Sequence, residues 1–488
     1  RGLTRGFLEV LHKISGPPRQ TLPPFGIMPA MFSSRKKGDV RDVLATTLPL
    51  VLAMGAHAVN QFTDRVFLAR YSDDAIQASL PGGILSWLFI CLLVATASYS
   101  GTFVAQFHGA GSKRDAAAAY GQGLWLALAA LPLILLSIPL GYALFNLAGH
   151  APAILADEKA YYGILQLGGV FCVFQAVLAG YFAGQGKTRL VGVATCVGSL
   201  SNVLLDWMFI FGHGGCGRWG IVGAGWATAL AAAVPCLILG AATFSEPALR
   251  GRRYLVALRP RPDLLRRIVR YGLPSGLHQF LDVATFTVFV MATGRLDALS
   301  LAVSNIVFTV NYASFAPLLG LGQGTTVLVG QYQGADDAVA SIRATKSALF
   351  LGAVYVALFA LVVFLFSDTL MDAFRGPDTA FESAAFRALG RTLMWIMLSW
   401  AFFDAVSLIV GGALKGAGDT KFVMFALLAI SLGLWMPVVF LVLWLAPSIT
   451  FLWLTMPFYC GVCAMTCIVR FARGRWRRLR LVDDLVTR

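Results

Sequence analysis

The chain has 488 residues, of which 58% are hydrophobic and 13% are charged. A soluble protein carries roughly twice that charged fraction, so the composition excludes a soluble globular protein. The basic residues behind the formal net charge of +15 are concentrated in the two tails and in alternate loops, which excludes a nucleic-acid-binding face and indicates membrane topology.

Apolar runs of about 20 residues or more separate the charged clusters, and such runs cross a bilayer as helices. Leu124–Leu140 and Leu349–Phe366 are apolar on every face, whereas a β-barrel needs short alternating segments. The sequence therefore predicts an all-α polytopic membrane protein with twelve transmembrane helices. The predicted spans, in chain order, are 43–69, 76–107, 117–148, 158–184, 188–212, 219–244, 270–294, 298–332, 345–370, 386–415, 422–445 and 449–469.

The distribution of basic residues predicts the orientation in the membrane. Lys and Arg are concentrated in the tails, 1–41 and 471–488, and at the loops and span ends on one side, as at Lys415 and Lys421. The opposite loops carry acids such as Asp378 and Glu382. Because basic loops stay in the cytoplasm, we expect a multi-pass protein of the inner membrane with both termini cytoplasmic. We expect no secretory signal peptide before the first span.

Three short segments of the first half recur in the same order in the second half: Leu48-Pro49 as Leu273-Pro274, Val104–Ala110 as Val329–Ala335, and Gly180–Arg189 as Gly412–Lys421. Each half has six predicted spans, so both halves insert in the same direction, as two bundles related by a pseudo-two-fold axis along the membrane normal. The predicted order is a cytoplasmic tail, an N-lobe, a basic cytoplasmic linker, a C-lobe and a second tail, at 1–41, 42–244, 245–269, 270–470 and 471–488. The linker suits two lobes that move, although its charge also fits a topology signal alone.

Four acids lie in the interior of the predicted spans, away from the span ends, namely Asp64, Asp206, Asp282 and Asp404. Ionisable groups in a bilayer are costly unless they face a cavity or a partner, so each acid is a functional candidate. Polar residues accompany the acids at helical spacing: His57, Asn60 and Gln61 with Asp64, Thr195, Ser199 and Asn202 with Asp206, and His278 with Asp282. The acids do not coincide under the repeat, which favours function over shared structure, although a structural role for any one acid stays open.

The eight cysteines lie mostly in apolar runs, which favours free thiols over a disulfide framework. Cys460, Cys463 and Cys467 imitate the spacing of a metal motif, but no His or acid stands beside them in the sequence. We therefore expect no structural metal.

Several segments together resemble the multidrug and toxic compound extrusion (MATE) family of the MOP flippase superfamily, over roughly residues 42–470. The resemblance is carried by Phe62–Phe67 (FTDRVF), the paired Val-x-Gln-x-x-Gly-Ala segments, Asn202–Trp207, Gly220–Thr228, Phe280–Asp282, Phe403–Val406 and Gly412–Thr420. It implies an antiporter that exchanges H⁺ or Na⁺ for mostly cationic organic compounds by rocking two lobes around a central cavity, without a cofactor.

The resemblance also implies the site residues. The family's cation-coupling positions fall on Asp64, Asn202, Asp206 and Thr228, and its second-lobe acids fall on Asp282 and Asp404. Asp206 is similar to the proton-linked branch, whereas the second-lobe acids are similar to the NorM-like branch, with Asp282 in place of Glu and Trp400 in place of Tyr. His278 and Gln61, which share helix faces with Asp282 and Asp64, complete the candidate set. If Na⁺ is the coupling ion, it would bind at Asp64, Asn202 and Asp206 or at Asp282 and Asp404.

The expected partners are small organic cations and the lipid bilayer, with no nucleic acid, and the expected state is a monomer. One alternative is a flippase for a lipid-linked substrate, which would need cationic residues within the spans. A membrane-embedded enzyme would need a nucleophile beside a base or a metal cluster, and the sequence shows neither. A passive channel is disfavoured because two repeats around buried acids suit alternating access.

Overall fold

The computed structural model describes residues 36–148, 152–373, 383–445 and 447–482. The predictions made for residues 1–35 and 483–488, and for the loop acids Asp378 and Glu382, lie outside these ranges. Within them the chain is almost entirely helical, as the apolar runs predict.

The first half contains six long helical segments. Helix α1 is followed by α2 and α3, which form one span interrupted at Tyr99, and then by four further helices. The bounds are α1 Val40–Tyr71, α2 Asp73–Ser98, α3 Ser100–Gly109, α4 Lys113–Ala148, α5 Pro152–Gly184, α6 Thr188–Phe211 and α7 Gly220–Phe244.

The second half repeats this organisation after the short helix α8 (Arg252–Ala257). Its fifth span is built from two α-helices joined by a π-helical segment, Ser431–Trp435, and the last helix is followed by a 3₁₀ turn, Arg475–Arg478. The bounds are α9 Pro262–Thr293, α10 Ala298–Gly334, α11 Ala338–Ala373, α12 Ser383–Ala417, α13 Thr420–Ile430, α14 Met436–Leu445 and α15 Ile449–Ala472.

Within the described ranges, eleven helical segments are long and apolar enough to cross a membrane. The remaining predicted span, 270–294, lies in α9, which has 32 residues and is therefore long enough. Helix α9 carries Arg266, Arg267, His278 and Asp282, and these residues lower its mean hydropathy without shortening the helix. Helix α9 is thus the polar member of the twelve-helix fold.

The two halves pack as two bundles with equivalent helix pairs. In the first bundle α5 packs against α2, α4 and α7, and α1 packs against α6. In the second bundle α12 packs against α10, α11 and α15, and α9 packs against α13. Between the bundles, α1 packs against α10 and α2 packs against α9. These contacts are the same pairs in both halves, which agrees with the predicted pseudo-two-fold arrangement.

The repeated segments also end in equivalent turns. Gly111 and Asp336 occupy matching positions, and both have a positive φ, +78° and +60°. Asp tolerates the left-handed region better than most residues with a Cβ atom. Gly186 and Gly418 form the second matching pair, with φ values of +82° and +101°. The backbone repeat therefore extends to positions where the side chains differ.

The segment between the halves, 245–269, is anchored to the first bundle rather than free. Its Arg261 forms an ion pair with the buried Asp115 of α4, with Nη1 and Oδ1 3.0 Å apart. Gln122 of α4 accepts a hydrogen bond from the Arg261 amide at 2.9 Å and donates to the Arg259 carbonyl at 3.0 Å. This segment therefore packs on α4 of the first bundle.

Candidate cation and substrate site

In the first bundle, polar side chains of α1, α6 and α7 meet around Asn202, which is 1% exposed. In the orientation that suits its neighbours, the Asn202 amide nitrogen donates to Asp64 Oδ1 at 3.0 Å and to Asp206 Oδ2 at 3.2 Å. The Asn202 side-chain oxygen accepts a hydrogen bond from the Thr228 backbone amide at 3.2 Å. Helix α6 contributes Asn202 and Asp206 and packs against both α1 and α7. The fold thus brings together the four residues of the predicted coupling set.

Two oxygen atoms in this cluster are buried without a hydrogen-bond partner among the described residues, Asp206 Oδ1 and Thr228 Oγ1. The carboxyl groups of Asp64 and Asp206 lie within hydrogen-bonding reach of each other. Buried polar atoms are usually satisfied, so an unpartnered oxygen beside two acids needs an explanation. The donor set, rich in oxygen atoms, suits a proton or a small hard cation.

The amide that α1 supplies to this cluster is Asn60. Its side chain is 8% exposed and contacts the Asn202 amide, whereas Gln61 is exposed. Helical spacing placed both residues on one polar stripe. The rotation of α1 within the bundle decides which of the two faces Asn202.

In the second bundle, Asp282 of α9 and Asp404 of α12 are half-buried and interact electrostatically. Tyr459 and Cys460 of α15 lie within electrostatic range of both acids. Trp400, one turn before Asp404, is 4% exposed and packs in an aromatic core, with ring centroids 6.3 Å from Phe289 and 5.7 Å from Trp453. Trp400 therefore packs in the core next to the site and does not line it.

Lys415 also belongs to this second group, although it was not among the predicted site residues. Helix α12 continues to Ala417, so Lys415 lies in its last turn, half-buried. The Lys415 Nζ atom lies 3.3 Å from His278 Nδ1, and Lys415 interacts electrostatically with Asp282. A basic residue at the end of a predicted span is interpreted as a topology signal, so the sequence did not single it out. The lack of a basic residue at the matching first-half position, Ala183, was the available signal.

The bundles meet closely at one end of the molecule, which we call the terminal side because Lys37 and Leu481 both lie there. Gln106 Nε2 donates to the Gly416 carbonyl at 3.0 Å, and Gln331 Nε2 donates to the Gly184 carbonyl at 2.8 Å. Gln106 matches Gln331 in the repeat, and Gly184 matches Gly416. The two hydrogen bonds are therefore a reciprocal pair that joins the bundles.

Residues 475–482 form a segment across this reciprocal pair, which we call the terminal strap. The Gln333 side chain donates to its carbonyl oxygens at 2.8 to 3.4 Å, those of Trp476, Arg477 and Leu479. The Leu481 amide donates to Gln106 Oε1 at 3.0 Å. Trp476 packs in the core of the second bundle, while Leu481 joins the core of the first. The strap thus binds both bundles at once.

Comparison with known proteins places these features in a family. The MatE family model matches residues 49–208 and 274–441, one stretch in each half. The chain belongs to the MATE family. Both matched stretches begin at the paired prolines, Pro49 and Pro274, so the family pattern follows the same internal repeat. Members of this family are transporters, and the alternative of a membrane-embedded enzyme is therefore wrong.

Among similar proteins, this MATE chain is 27% identical over 397 residues to a probable multidrug resistance protein NorM of Pseudomonas aeruginosa, with 80% of each chain covered. It is 29% identical over 398 residues to a NorM protein of the same description from Mesorhizobium japonicum, which covers 78% of this chain and 82% of the relative. The similarity spans both lobes and places the chain among multidrug efflux transporters.

Solved structures share the fold. A MATE protein in the straight conformation has a TM-score of 0.80 at 19% identity, covering 91% of this MATE chain and 97% of that protein. A MOP superfamily transporter from Pyrococcus furiosus has a TM-score of 0.79 at 18% identity, covering 93% and 98%. The two-bundle, twelve-helix architecture predicted from the sequence is thereby confirmed.

All eight cysteines of this MATE chain are free thiols. Over the residues that the structure describes, there is no group of three or more His, Cys, Asp or Glu side chains arranged to hold a metal ion. Cys460, Cys463 and Cys467 are buried in α15, where they pack in the second bundle or beside its acids.

Proposed function

We propose that this chain is a secondary active antiporter that exports organic, mostly cationic compounds in exchange for H⁺ or Na⁺ by alternating access. The observation that carries the proposal is the buried cluster around Asn202, in which Asp64 and Asp206 approach each other beside unpartnered oxygen atoms. Two negative charges at such a separation repel each other, so binding of a cation lowers the free energy of the cluster.

The orientation of the Asn202 amide bears on which cation couples transport. Its nitrogen faces both carboxyl groups, and its oxygen is engaged by the Thr228 amide. A nitrogen donor supports a shared proton between Asp64 and Asp206 but does not ligate Na⁺. Sodium binding through Asn202 would use the opposite amide orientation, with the side-chain oxygen toward Asp64 and Asp206, so the cluster can serve H⁺ or, after a turn of the amide, Na⁺.

The second bundle supplies the proposed cargo site. Asp282 and Asp404 are half-buried on two helices of the C-lobe, and carboxylates in a medium of low dielectric attract a cation much more strongly than in water. The NorM relatives are described as probable multidrug resistance proteins, which supports a range of organic cargo rather than one metabolite.

We further propose that the lobes, 42–244 and 270–470, are the moving units of a monomer in the inner membrane with both termini cytoplasmic. The terminal side is then the cytoplasmic side, and the reciprocal glutamine contacts keep the path closed there. Opening toward the cytoplasm would break these contacts and release the strap from one lobe.

The test is transport of a fluorescent cation, ethidium, into everted membrane vesicles under an imposed pH gradient or, separately, an imposed Na⁺ gradient. We expect the pH gradient to drive accumulation of ethidium in the vesicles and its collapse to abolish it. Accumulation driven only by the Na⁺ gradient would identify Na⁺ as the coupling ion. Preferred transport of an anionic dye over ethidium would contradict the cargo assignment and favour the flippase alternative.

A further inference from the structure

The C-lobe contains three charged side chains for which the repeat gives no counterpart in the N-lobe. In the register of the repeated segments, Asp282 matches His57, Asp404 matches Cys172 and Lys415 matches Ala183. Charges needed for a bundle to fold would be expected in both halves, because the helix pairs are the same in both. The positive charge therefore accompanies the two acids and is not a general feature of the fold.

The structure brings Lys415 to the helix face that carries Asp282. His278 and Asp282 are one turn apart on α9 and therefore share a face, and the Lys415 Nζ atom lies 3.3 Å from His278 Nδ1. The charges of Lys415 and Asp282 interact, as do those of Asp282 and Asp404. A lysine ammonium has only donors, so it binds the Nδ1 lone pair of a neutral imidazole that carries its proton on Nε2. His278 thus holds the ammonium beside Asp282 without competing for the positive charge.

The main chain of Lys415 is fixed independently of its side chain. Its carbonyl oxygen accepts a hydrogen bond from the Tyr99 hydroxyl of the N-lobe at 2.8 Å, and the next carbonyl, that of Gly416, accepts the hydrogen bond from Gln106. The side chain has four rotatable carbon bonds beyond this anchor. It can therefore turn away from Asp282 while the backbone keeps its place.

We propose that Lys415 is a tethered cation that balances the charge of Asp282 when the C-lobe is empty and that a bound organic cation must displace. The inference rests on the proposed function, since it assumes that cationic cargo binds at Asp282. Lys415 then discriminates between classes of cargo. It lowers the affinity for every cation that needs Asp282 and leaves the affinity for a neutral compound unchanged.

The test is equilibrium binding of ethidium to the purified full chain in detergent, with no ion gradient. We expect Lys415→Gln to bind ethidium about tenfold more tightly than the unmodified chain, because a competing charge is removed at close range in a medium of low dielectric. Lys415→Arg keeps the charge and should stay within about twofold of the original affinity. A neutral dye, Nile red, should bind all three proteins equally.

A double-mutant cycle identifies the partner. In an Asp282→Asn background, Lys415→Gln should produce a clearly smaller gain, since only the direct repulsion of the dye by the ammonium is then removed and no competition for the carboxylate is relieved. Lys415→Met serves as a second neutral variant if the glutamine variant has a lowered melting temperature. Unchanged or weaker ethidium binding in both neutral variants, or a gain of undiminished size without Asp282, would overturn the proposal.

Failure of this proposal is distinguishable from failure of the proposed function. Gradient-driven ethidium transport by the unmodified chain tests antiport alone, whereas the binding cycle uses no gradient. Transport with no Lys415 effect on binding refutes only the tethered cation. Loss of transport with the binding gain intact refutes only the coupling.

Discussion

Gly334 lies against the backbone of Gln106 so closely that a β-carbon at Gly334 would be 1.9 Å from the Gln106 carbonyl oxygen. The relationship is reciprocal, because a β-carbon at Gly109 would be 1.9 Å from the carbonyl oxygen of Gln331. In each half the glycine and the glutamine belong to the same repeated segment. The two segments therefore pack on each other at the terminal side, and the absence of a side chain lets the bundles meet there.

Gly334→Ala should force this contact apart. Overpacking of this kind typically costs about 1 to 3 kcal/mol, so we expect a lower melting temperature in detergent. Gly411→Ala is the matched control, since a β-carbon there has nothing within 4 Å and alanine favours the helix by up to about 1 kcal/mol. Equal melting temperatures for the two variants would show that the lobes are not in contact at Gly334.

Gln331→Leu should weaken closure of the terminal side. It removes the hydrogen bond to the Gly184 carbonyl, which is worth about 1 kcal/mol and corresponds to a roughly fivefold shift between closed and open states. The measurement is the distance distribution between spin labels at Arg114 and Val339, both exposed, in a background without the native cysteines. The Gln333→Leu variant loses the hydrogen bonds to the strap but keeps the reciprocal pair, so it should shift the distribution less. An unchanged distribution in Gln331→Leu would contradict a role in closure.

Removal of the strap, by ending the chain after Gly474, should have a larger effect than either glutamine variant. The truncation removes Trp476 and Leu481, which are at most 2% exposed, and so exposes the bundle surfaces that cover them. It also removes the Leu481 amide that donates a hydrogen bond to Gln106. We expect a lower melting temperature and a longer distance between the same two spin labels. Arg478→Ala, at an exposed strap position, is the control and should behave as the full chain. A truncated chain with the original distance would mean that the strap only covers the bundles.

Asp64→Asn should separate cargo binding from coupling. The substitution keeps the volume and removes the carboxyl group that approaches Asp206, so a shared proton or cation loses one of its two acids. We expect ethidium binding to be retained and gradient-driven transport to fall about tenfold or more. Asp372→Asn, an exposed acid paired with Arg387 at 2.8 Å, should transport normally. Full transport by Asp64→Asn would refute the assignment of the first-lobe cluster.

Asp297→Ala should weaken the start of α10 in a pH-dependent manner. Asp297 accepts hydrogen bonds from the Ser300 hydroxyl at 2.6 Å and the Ser300 amide at 2.8 Å, and these contacts lower the pKa of the Asp297 carboxyl. A lowered folded-state pKa gives stability above the unfolded value of about 3.9, and that stability is lost as the pH falls through the folded value.

The alanine variant should therefore melt at a lower temperature at pH 7, by the equivalent of about 1 kcal/mol for a lost N-cap, and the difference should shrink as the pH falls below 4. Asp297→Asn keeps a capping oxygen and should retain most of the stability without the pH dependence. An identical melting temperature for the alanine variant at pH 7 would exclude a capping role.

The sequence by itself determined the helices, the repeat and the candidate acids. Long apolar runs have one stable solution in a bilayer, because backbone groups without water must be paired within the helix. The recurrence of Gln106 as Gln331 and of Gly184 as Gly416 indicated two equivalent halves. The same local rules marked Asp64, Asp206, Asp282 and Asp404, since charged side chains stand out in apolar runs.

Only the tertiary structure decided which of these residues meet. Helical spacing gives the face of a residue on its own helix but not the rotation of that helix against its neighbours, so it could not choose Asn60 over Gln61 for the contact with Asn202. Nor could it place Lys415 beside His278, 137 residues away in the chain. The reciprocal contacts of Gln106 and Gln331 depend on how two bundles dock. Docking is set by close packing summed over the whole interface, and no local stretch of sequence contains that sum.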